Sequence, residues 1–238
     1  MTTSRPILLS DRHLARIAPA QGPLHDPRWR MLDDADLDRL ADELTRGRPR
    51  PIPIFAYGSL IWNPGFAVGA RRRATAIGWH RSFSISLDHF RGSPDRPGLM
   101  LALARGGQCE GLVLDIAQGT EVQSLRDILR RELVAHELAG NACWITVQTE
   151  NGRQEALTFY ADPVGTLTAR LTVEEQARRL ARAAGAAGSG AEYLLRTARG
   201  LAEHGIHDDY IWTLQQHVAQ EIDTAVDECF IAPARRTD

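Results

Sequence analysis

Residues Phe55 to Phe66 read FAYGSLIWNPGF: an apolar, strand-like run halts at Tyr57-Gly58-Ser59, and large apolar side chains return at once in Leu60-Ile61-Trp62. A strand that ends in Gly-Ser can turn so that consecutive backbone N–H groups point into one concavity, and such a nest holds a carboxylate or an oxyanion. Glycine permits both the turn and the close approach of a ligand. The alternative is a plain strand-ending turn whose Leu60 to Trp62 simply return to the core, and the tetrapeptide alone does not separate the two. Upstream, RPRPIPI (Arg48 to Ile54) carries three prolines, which forbid helix and favour an extended entry.

Before that entry, Leu37, Leu40, Ala41 and Leu44 recur at helical spacing from Asp34 onward, and Gly47 closes the pattern as a C-cap glycine does. The first 30 residues show no clean periodicity and read as an irregular arm with a short helix around Arg12 to Ile17. Residues 1–50 are therefore expected to form an arm and helix packed on a main domain spanning 51–232.

Between Arg73 and Asp162 the runs RATAIGWHRSFSISL, LMLALA, GLVLDIA, CWITVQT and EALTFYA are β-rich and broken by Gly, Pro and Asp. Asn151-Gly152 marks a hairpin between the last two. One helix, Thr120 to about Glu137, interrupts the strands. After Thr172 the chain turns helical: Thr172-Val-Glu-Glu175 and Ser189-Gly-Ala-Glu192 match capping boxes, and Ile211, Leu214, Val218, Ile222 and Val226 form an apolar face over Asp209 to Glu228. Short strands around one inserted helix predict an α+β fold, a closed mixed β-barrel with peripheral helices, rather than alternating βαβ units.

A formal charge of -2 gives no positive field to concentrate nucleic acid or anionic lipid. Arg71, Arg72 and Arg73 are the one compact basic cluster and read as a solvated strand edge. Three widely spaced cysteines, Cys109, Cys143 and Cys229, show neither C-x-x-C pairing nor zinc spacing, which suits a reduced thiol pool. Pro6 to Leu9 is too short for a signal sequence, and no window reaches the roughly 20 apolar residues of a membrane span. A cytoplasmic protein with a small-molecule substrate, without nucleic acid or membrane partners, is expected; the sequence assigns no oligomeric state.

Within the inserted helix, Val122, Leu125 and Leu129 form an apolar stripe that continues onto Glu132 and then His136. A carboxylate thus stands where an apolar residue belongs. Burial disfavours its charged form and moves its pKa toward the range useful for a general base. The alternative is that Glu132 sits at the helix end and merely pairs with Arg131. Glu132-x-x-x-His136-Glu137 is not the H-E-x-x-H order and lacks a third ligand, so no metal is expected. His204-Gly-Ile-His207-Asp208-Asp209 reads as an inter-helix loop with an acidic cap. Ser59 lacks the G-x-S-x-G setting of a nucleophile elbow, and Asp88-His89 is open to a ligand contact or a turn role. No G-x-G-x-x-G or Walker loop is present, so no phosphate cofactor has a cradle.

FAYGSLIWNPGF, GWHRSF, RPGLMLAL, LRREL and GAEYLL occur in the order and approximate spacing of the ChaC branch of γ-glutamylcyclotransferases, which the chain resembles from about Ile54 to Leu214. The resemblance implies the cyclotransferase barrel, conversion of glutathione to 5-oxoproline and cysteinylglycine, and no cofactor. It implies a substrate loop at Ala56, Tyr57, Gly58, Ser59, Leu60 and Ile61, a catalytic Glu132, and a site tyrosine at Tyr193. The chain departs from the family pattern at Ala56, where glycine is common, and at Leu133-Val-Ala-His136, where a glycine-containing run often reaches a tyrosine. Other γ-glutamyl amines or dipeptides therefore stay open as substrates, as does a non-catalytic γ-glutamyl-binding protein.

In such a compound the free α-amine attacks its own side-chain amide carbonyl, closing a five-membered lactam and expelling the attached amine. No outside nucleophile is needed. The protein must fold the glutamyl arm into attack geometry, take a proton from the α-ammonium and stabilise the oxyanion. Glu132 is the candidate to carry the proton in both steps, and the backbone N–H groups of Gly58 to Leu60 are the candidates to anchor the substrate's α-carboxylate.

Overall fold

A computed structural model describes residues 8–161 and 168–231, with side chains described through residue 225. Its elements run α1 (Asp11–Leu14), α2 (Asp34–Thr45), β1 (Pro53–Ala56), α3 (Ser59–Trp62), β2 (Val68–Leu87) and β3 (Gly98–Ile116). There follow α4 (Glu121–Glu132), a 3₁₀ turn (His136–Leu138), β4 (Ala142–Thr149), β5 (Gly152–Phe159) and α5 (Val173–Arg182). The chain ends with β6 (Ala184–Gly185), β7 (Gly188–Ser189), α6 (Gly190–Glu203) and α7 (Asp209–Ile231).

Strands β1-β3-β2-β4-β5 close into a barrel. Neighbours are antiparallel except at the seam, where Ile54 of β1 meets Leu157 of β5 in parallel. The three runs expected between Arg73 and Ile116 are in fact two long strands. LMLALA and GLVLDIA both belong to β3, joined through Gly106 and Gly107, whose φ values of 105° and 68° let the strand kink without leaving the ladder. Opposite them, Gly78 in β2 (φ 83°) sits at a register shift between Ile77 and Trp79.

The β4–β5 hairpin forms where expected, with the left-handed position at Gly152 (φ 104°) and not at Asn151. That is the pattern of a turn closed by a glycine bulge.

The alternation of β1 divides the core. Phe55 joins Ala76, Leu103, Val113, Val147 and other residues drawn from all five strands and no helix, so this cluster fills the barrel. Ile54 and Ala56 face outward, under the apolar faces of α4, α5, α6 and α7. The α4 face departs from expectation. Val122 is 69% exposed, and the buried residues are Ser124, Leu125, Ile128 and Leu129. At about 100° per residue, that face centres near Ile128 and Glu132 and leaves Val122 roughly a quarter-turn off.

Capping fixes the helix entries. Asp33 accepts from the Asp36 N–H, Thr172 from Glu175 and Ser189 from Glu192, so both expected boxes supply a cap. The Asp208 cap accepts from Ile211 N at 3.0 Å and also holds the fully buried Arg81 side chain at 2.7 Å. In the expected basic cluster, Arg72 and Arg73 are spent on cross-strand pairs, Arg72 forking onto Asp115 and Arg73 meeting Glu110. The C-terminal tail beyond Ile231 and the side chains of Val226 and Cys229 lie outside what is described.

The arm is threaded across the fold. Asp11 pairs with Arg199 of α6 and Arg16 with Asp223 of α7. Met31 bridges Ala135, and Arg126 and Arg130 of α4 reach Asp38 and Asp34 of α2.

Candidate active site

Where β1 gives out, Tyr57 lies at the barrel rim, packed against both core clusters. Its carbonyl does not continue the ladder; it accepts from Arg81 Nε at 2.7 Å. The arginine of GWHRSF is thus a buried strut that bends the chain into the loop. Gly58 then opens α3 at φ -137°, so its need for glycine is spatial. A Cβ there would stand 3.1 Å from Tyr193 Oη and 3.2 Å from Leu101 Cδ2.

The loop borders a cavity of about 830 Å³, within the size range of small-molecule sites. Tyr57, Gly58, Ser59, Leu60, Glu132 and Tyr193 all line it. Ala56 and Ile61 do not. Ala56 is a fully buried strand residue paired with Leu112, and Ile61 turns inward against Gly200 of α6. The Tyr193 hydroxyl stands beside the expected row of N–H groups, and Ser59 lowers its pKa against the larger, opposite effect of burial.

Glu132 is the last residue of α4, its side chain 21% exposed. Burial raises its pKa above the ordinary glutamate value, opposed in part by Arg131, whose Nε lies 3.3 Å from Oε1. The pairing considered from sequence is therefore real, yet burial outweighs it. A carboxylate at a helix C-terminus also faces unpaired carbonyls, which disfavour its charge further. Glu132 in turn raises the pKa of Tyr57 and Tyr193, though burial is the larger cause in both. These three groups share one space, and the two phenols stay protonated donors.

His136 does not join them. It leaves α4 for the 3₁₀ turn and pairs with Asp36 at 3.0 Å, because the helix ends at Glu132 rather than near Glu137. Asp88 and His89 pair with each other at 2.9 Å, and His89 lines the cavity edge-on to Trp29, with ring centroids 5.1 Å apart. Ligand atoms of Asp26, Asp88 and His89 lie within 4.8 Å of one another. Both Asp26 oxygens already hold the Arg28 guanidinium, which lowers that carboxyl to about 2 through side-chain and backbone hydrogen bonds. A cation would have to displace it. Cys109 is buried in the barrel and pushed up to about 11, so it is no nucleophile.

Three contributors were not read from sequence. Arg131 donates to Ser59 Oγ and to the Asn63 carbonyl, tying the α4 end to the loop. Leu24 to Trp29 of the arm supply part of the cavity wall. Arg91, 8% exposed, lines the cavity and sits 5.4 Å above the Tyr193 ring. Its signal was the basic residue in LDHFRGS, a loop between strands.

A family model described as ChaC-like protein matches residues 52–221. The chain belongs to the ChaC-like family. Among curated ChaC-like and cyclotransferase relatives, a glutathione-specific γ-glutamylcyclotransferase of Escherichia coli K12 is 32% identical over 67% of this chain and 69% of its own. γ-Glutamylcyclotransferase 2-1 of Arabidopsis thaliana is 26% identical over 71% of this chain and 83% of its own. A yeast γ-glutamyl cyclotransferase structure, 20% identical, superposes with a TM-score of 0.63 over 71% of this chain and 96% of that one, which supports the shared barrel fold. Among the described residues no helix is long and apolar enough to cross a membrane.

Proposed function

We propose that this ChaC-like chain converts glutathione to 5-oxoproline and cysteinylglycine by intramolecular attack of the α-amine on the γ-amide. The observation that carries the reading is the convergence of Glu132, Tyr57 and Tyr193 on the cavity beside Gly58 and Ser59, within a chain whose curated relatives bear that activity in their names.

Glu132, with its raised pKa, takes a proton from the α-ammonium, whose reference pKa is about 7.7–8.0. The freed amine closes on the γ-carbonyl carbon. The tetrahedral oxyanion is met by hydroxyl donors, for which Tyr57 and Tyr193 are the candidates. The C–N bond to cysteine then breaks as the same carboxyl returns its proton to the departing amine, and the ring nitrogen gives up its second proton to that carboxylate or to water to leave the neutral lactam. The Gly58 to Leu60 backbone, sharing its concavity with Tyr193, holds the α-carboxylate. No step draws on a metal or an organic cofactor. We place the reaction in a reducing, cytoplasmic setting, as the cysteine usage suggests.

The two departures from the family pattern differ in reach. Ala56 is buried behind the loop, whereas Val134, in the altered run after Glu132, lines the cavity. That contact favours a second reading, in which another γ-glutamyl amine or dipeptide is preferred. Mass-spectrometric detection of 5-oxoproline and cysteinylglycine from glutathione tests the reaction, and a panel of γ-glutamyl compounds ranks the substrates. Glutathione binding by calorimetry with no lactam formed would instead mark a binding protein.

A further inference from the structure

The arginines that border the cavity are not equally occupied. Arg28 forks onto Asp26, Arg131 is divided among Ser59, the Asn63 carbonyl and Glu132, and the exposed Arg130 pairs with Asp34. Arg91 differs. Among the described residues its Nη1 alone is hydrogen-bonded, to the Ser189 carbonyl at 3.0 Å and to Glu192 Oε2 at 3.3 Å, and its buried Nε has no hydrogen-bond partner. Glu192 is moreover shared, since its other oxygen holds Arg196 at 2.8 Å. Two guanidinium groups against one carboxylate leave an unmatched positive charge. Burying an unpaired donor on a charged group is costly unless a ligand completes it.

The place is built rather than incidental. Gly188 has φ 98°, and a Cβ there would collide with the Glu192 carboxylate and stand 3.0 Å from Arg91 Nη1. The β6–β7 hairpin thus needs glycine to let the pair approach.

We propose that Arg91 binds the glycine carboxylate at the far end of glutathione, so that it selects the tripeptide over γ-glutamyl compounds that end earlier. The inference rests on the cyclotransferase reading above. The α-carboxylate shares a carbon with the amine that must reach Glu132, so it stays at the Glu132 end. Arg131, whose Nε lies 3.3 Å from Glu132 Oε1, is the cation at that end. Arg91 lies instead against the face of Tyr193, whose hydroxyl points toward Gly58. Two cations thus line the one cavity, Arg131 beside Glu132 and Arg91 against the face of Tyr193. The glycine carboxylate lies two residues from the reacting amide, up to roughly 7 Å of extended chain away, which suits the second.

Two measurements test it. In the unaltered protein, kcat/KM for glutathione should exceed that for its glycine monoethyl ester and for γ-glutamylcysteine by about 10- to 100-fold, the range for losing charge-assisted hydrogen bonds. In Arg91→Gln, KM for glutathione should rise by a similar factor with kcat little changed, while values for the two compounds that lack a free glycine carboxylate stay put; Arg91→Lys should recover part of the loss. Equal treatment of glutathione and its ester by the unaltered protein overturns the proposal even if the variants fail to fold. So does an Arg91→Gln defect of the same size on all three substrates. Calorimetry on Glu132→Gln gives the same comparison without turnover. If glutathione binds better than its ester but the unaltered protein yields no lactam, the Arg91 assignment stands and the cyclotransferase reading falls.

Discussion

Arg131 Nη2 donates to Ser59 Oγ at 2.5 Å, so the residue beside Glu132 is tied to the loop that ends β1. The same guanidinium meets Glu132 through Nε and the Asn63 carbonyl through Nη1. One side chain therefore sets both the separation of carboxylate from loop and the charge that the carboxylate feels.

Removing it should do two separable things. In Arg131→Gln, loss of the strut should lower kcat/KM by about 10- to 100-fold, as small misplacements of reacting groups do. Loss of the cation, which opposes the effect of burial, should raise the Glu132 pKa further, so the acid limb of the pH–kcat/KM profile should move to higher pH. A lowered rate with an unmoved limb would show that Arg131 only holds shape.

Glu132 itself predicts opposite effects on rate and stability. Glu132→Gln keeps the size but cannot carry the proton, so activity should fall by about 10²- to 10⁴-fold. Because burial raises the folded-state pKa, the native protein binds this proton more tightly than the unfolded chain does. The stabilisation is complete below the ordinary glutamate pKa and is lost as pH rises through the folded value. At pH 7 the variant should then melt higher than the unaltered protein, by about 2–4 °C for roughly 1 kcal/mol in a chain of this size. The difference should vanish below about pH 4. Calorimetric scans across pH test this, and a variant that melts lower at pH 7 would show that the Arg131 pair outweighs burial.

How much of this was legible in the sequence depends on the range of each interaction. Caps at Thr172 and Ser189 and the stop after β1 are local, and they were read from neighbouring residues. The barrel follows from the strand-rich middle of the chain, and β2 reads as one run, but β3 reads as two because Gly106 and Gly107 look like breaks when their cross-strand partners are unknown. Glu132 stood out because a carboxylate interrupts an apolar stripe. Arg91 and Trp29 did not, because what makes them matter is a wall assembled from the arm, the β2–β3 loop and α6, far apart in sequence. Ala56 and Ile61 belong to the motif without lining the cavity: a motif names consecutive residues, while alternation on a strand and a helix turn sends some of them into the core.

Gly58 and Tyr193 should be energetically coupled. Gly58→Ala places a Cβ 3.1 Å from Tyr193 Oη, tighter than ordinary packing, so loop or ring must shift and kcat/KM should fall by about 10-fold. Tyr193→Phe should also cost activity by removing a protonated donor, but it takes away the atom that the new methyl meets. The double variant should therefore lose less than the product of the single losses, and a double-mutant cycle on kcat/KM reads the difference. Strict multiplicativity would mean that the methyl strains Leu101 instead.

The arm gives the last prediction. We treat residues 1–50 as an appendage on the 51–232 domain and not as a separate folding unit, since Leu9 and Leu37 are buried in the main core cluster. Between these anchors, Pro23 O accepts from Phe90 N and Arg30 O from His136 N, so the arm is fastened on both sides of the cavity it helps to wall. Deleting residues 1–32 while keeping α2 should lower the melting temperature by several degrees, since Leu9 alone contributes about 1.5–3 kcal/mol of burial. Opening that wall admits water toward Glu132, which weakens the effect that raises its pKa, so the acid limb should move down toward the ordinary glutamate value. The direction is opposite to that for Arg131→Gln, and the two profiles measured side by side separate solvent access from charge. A truncated protein with an unshifted limb would show that Glu132 is desolvated by the barrel rim and α4 alone.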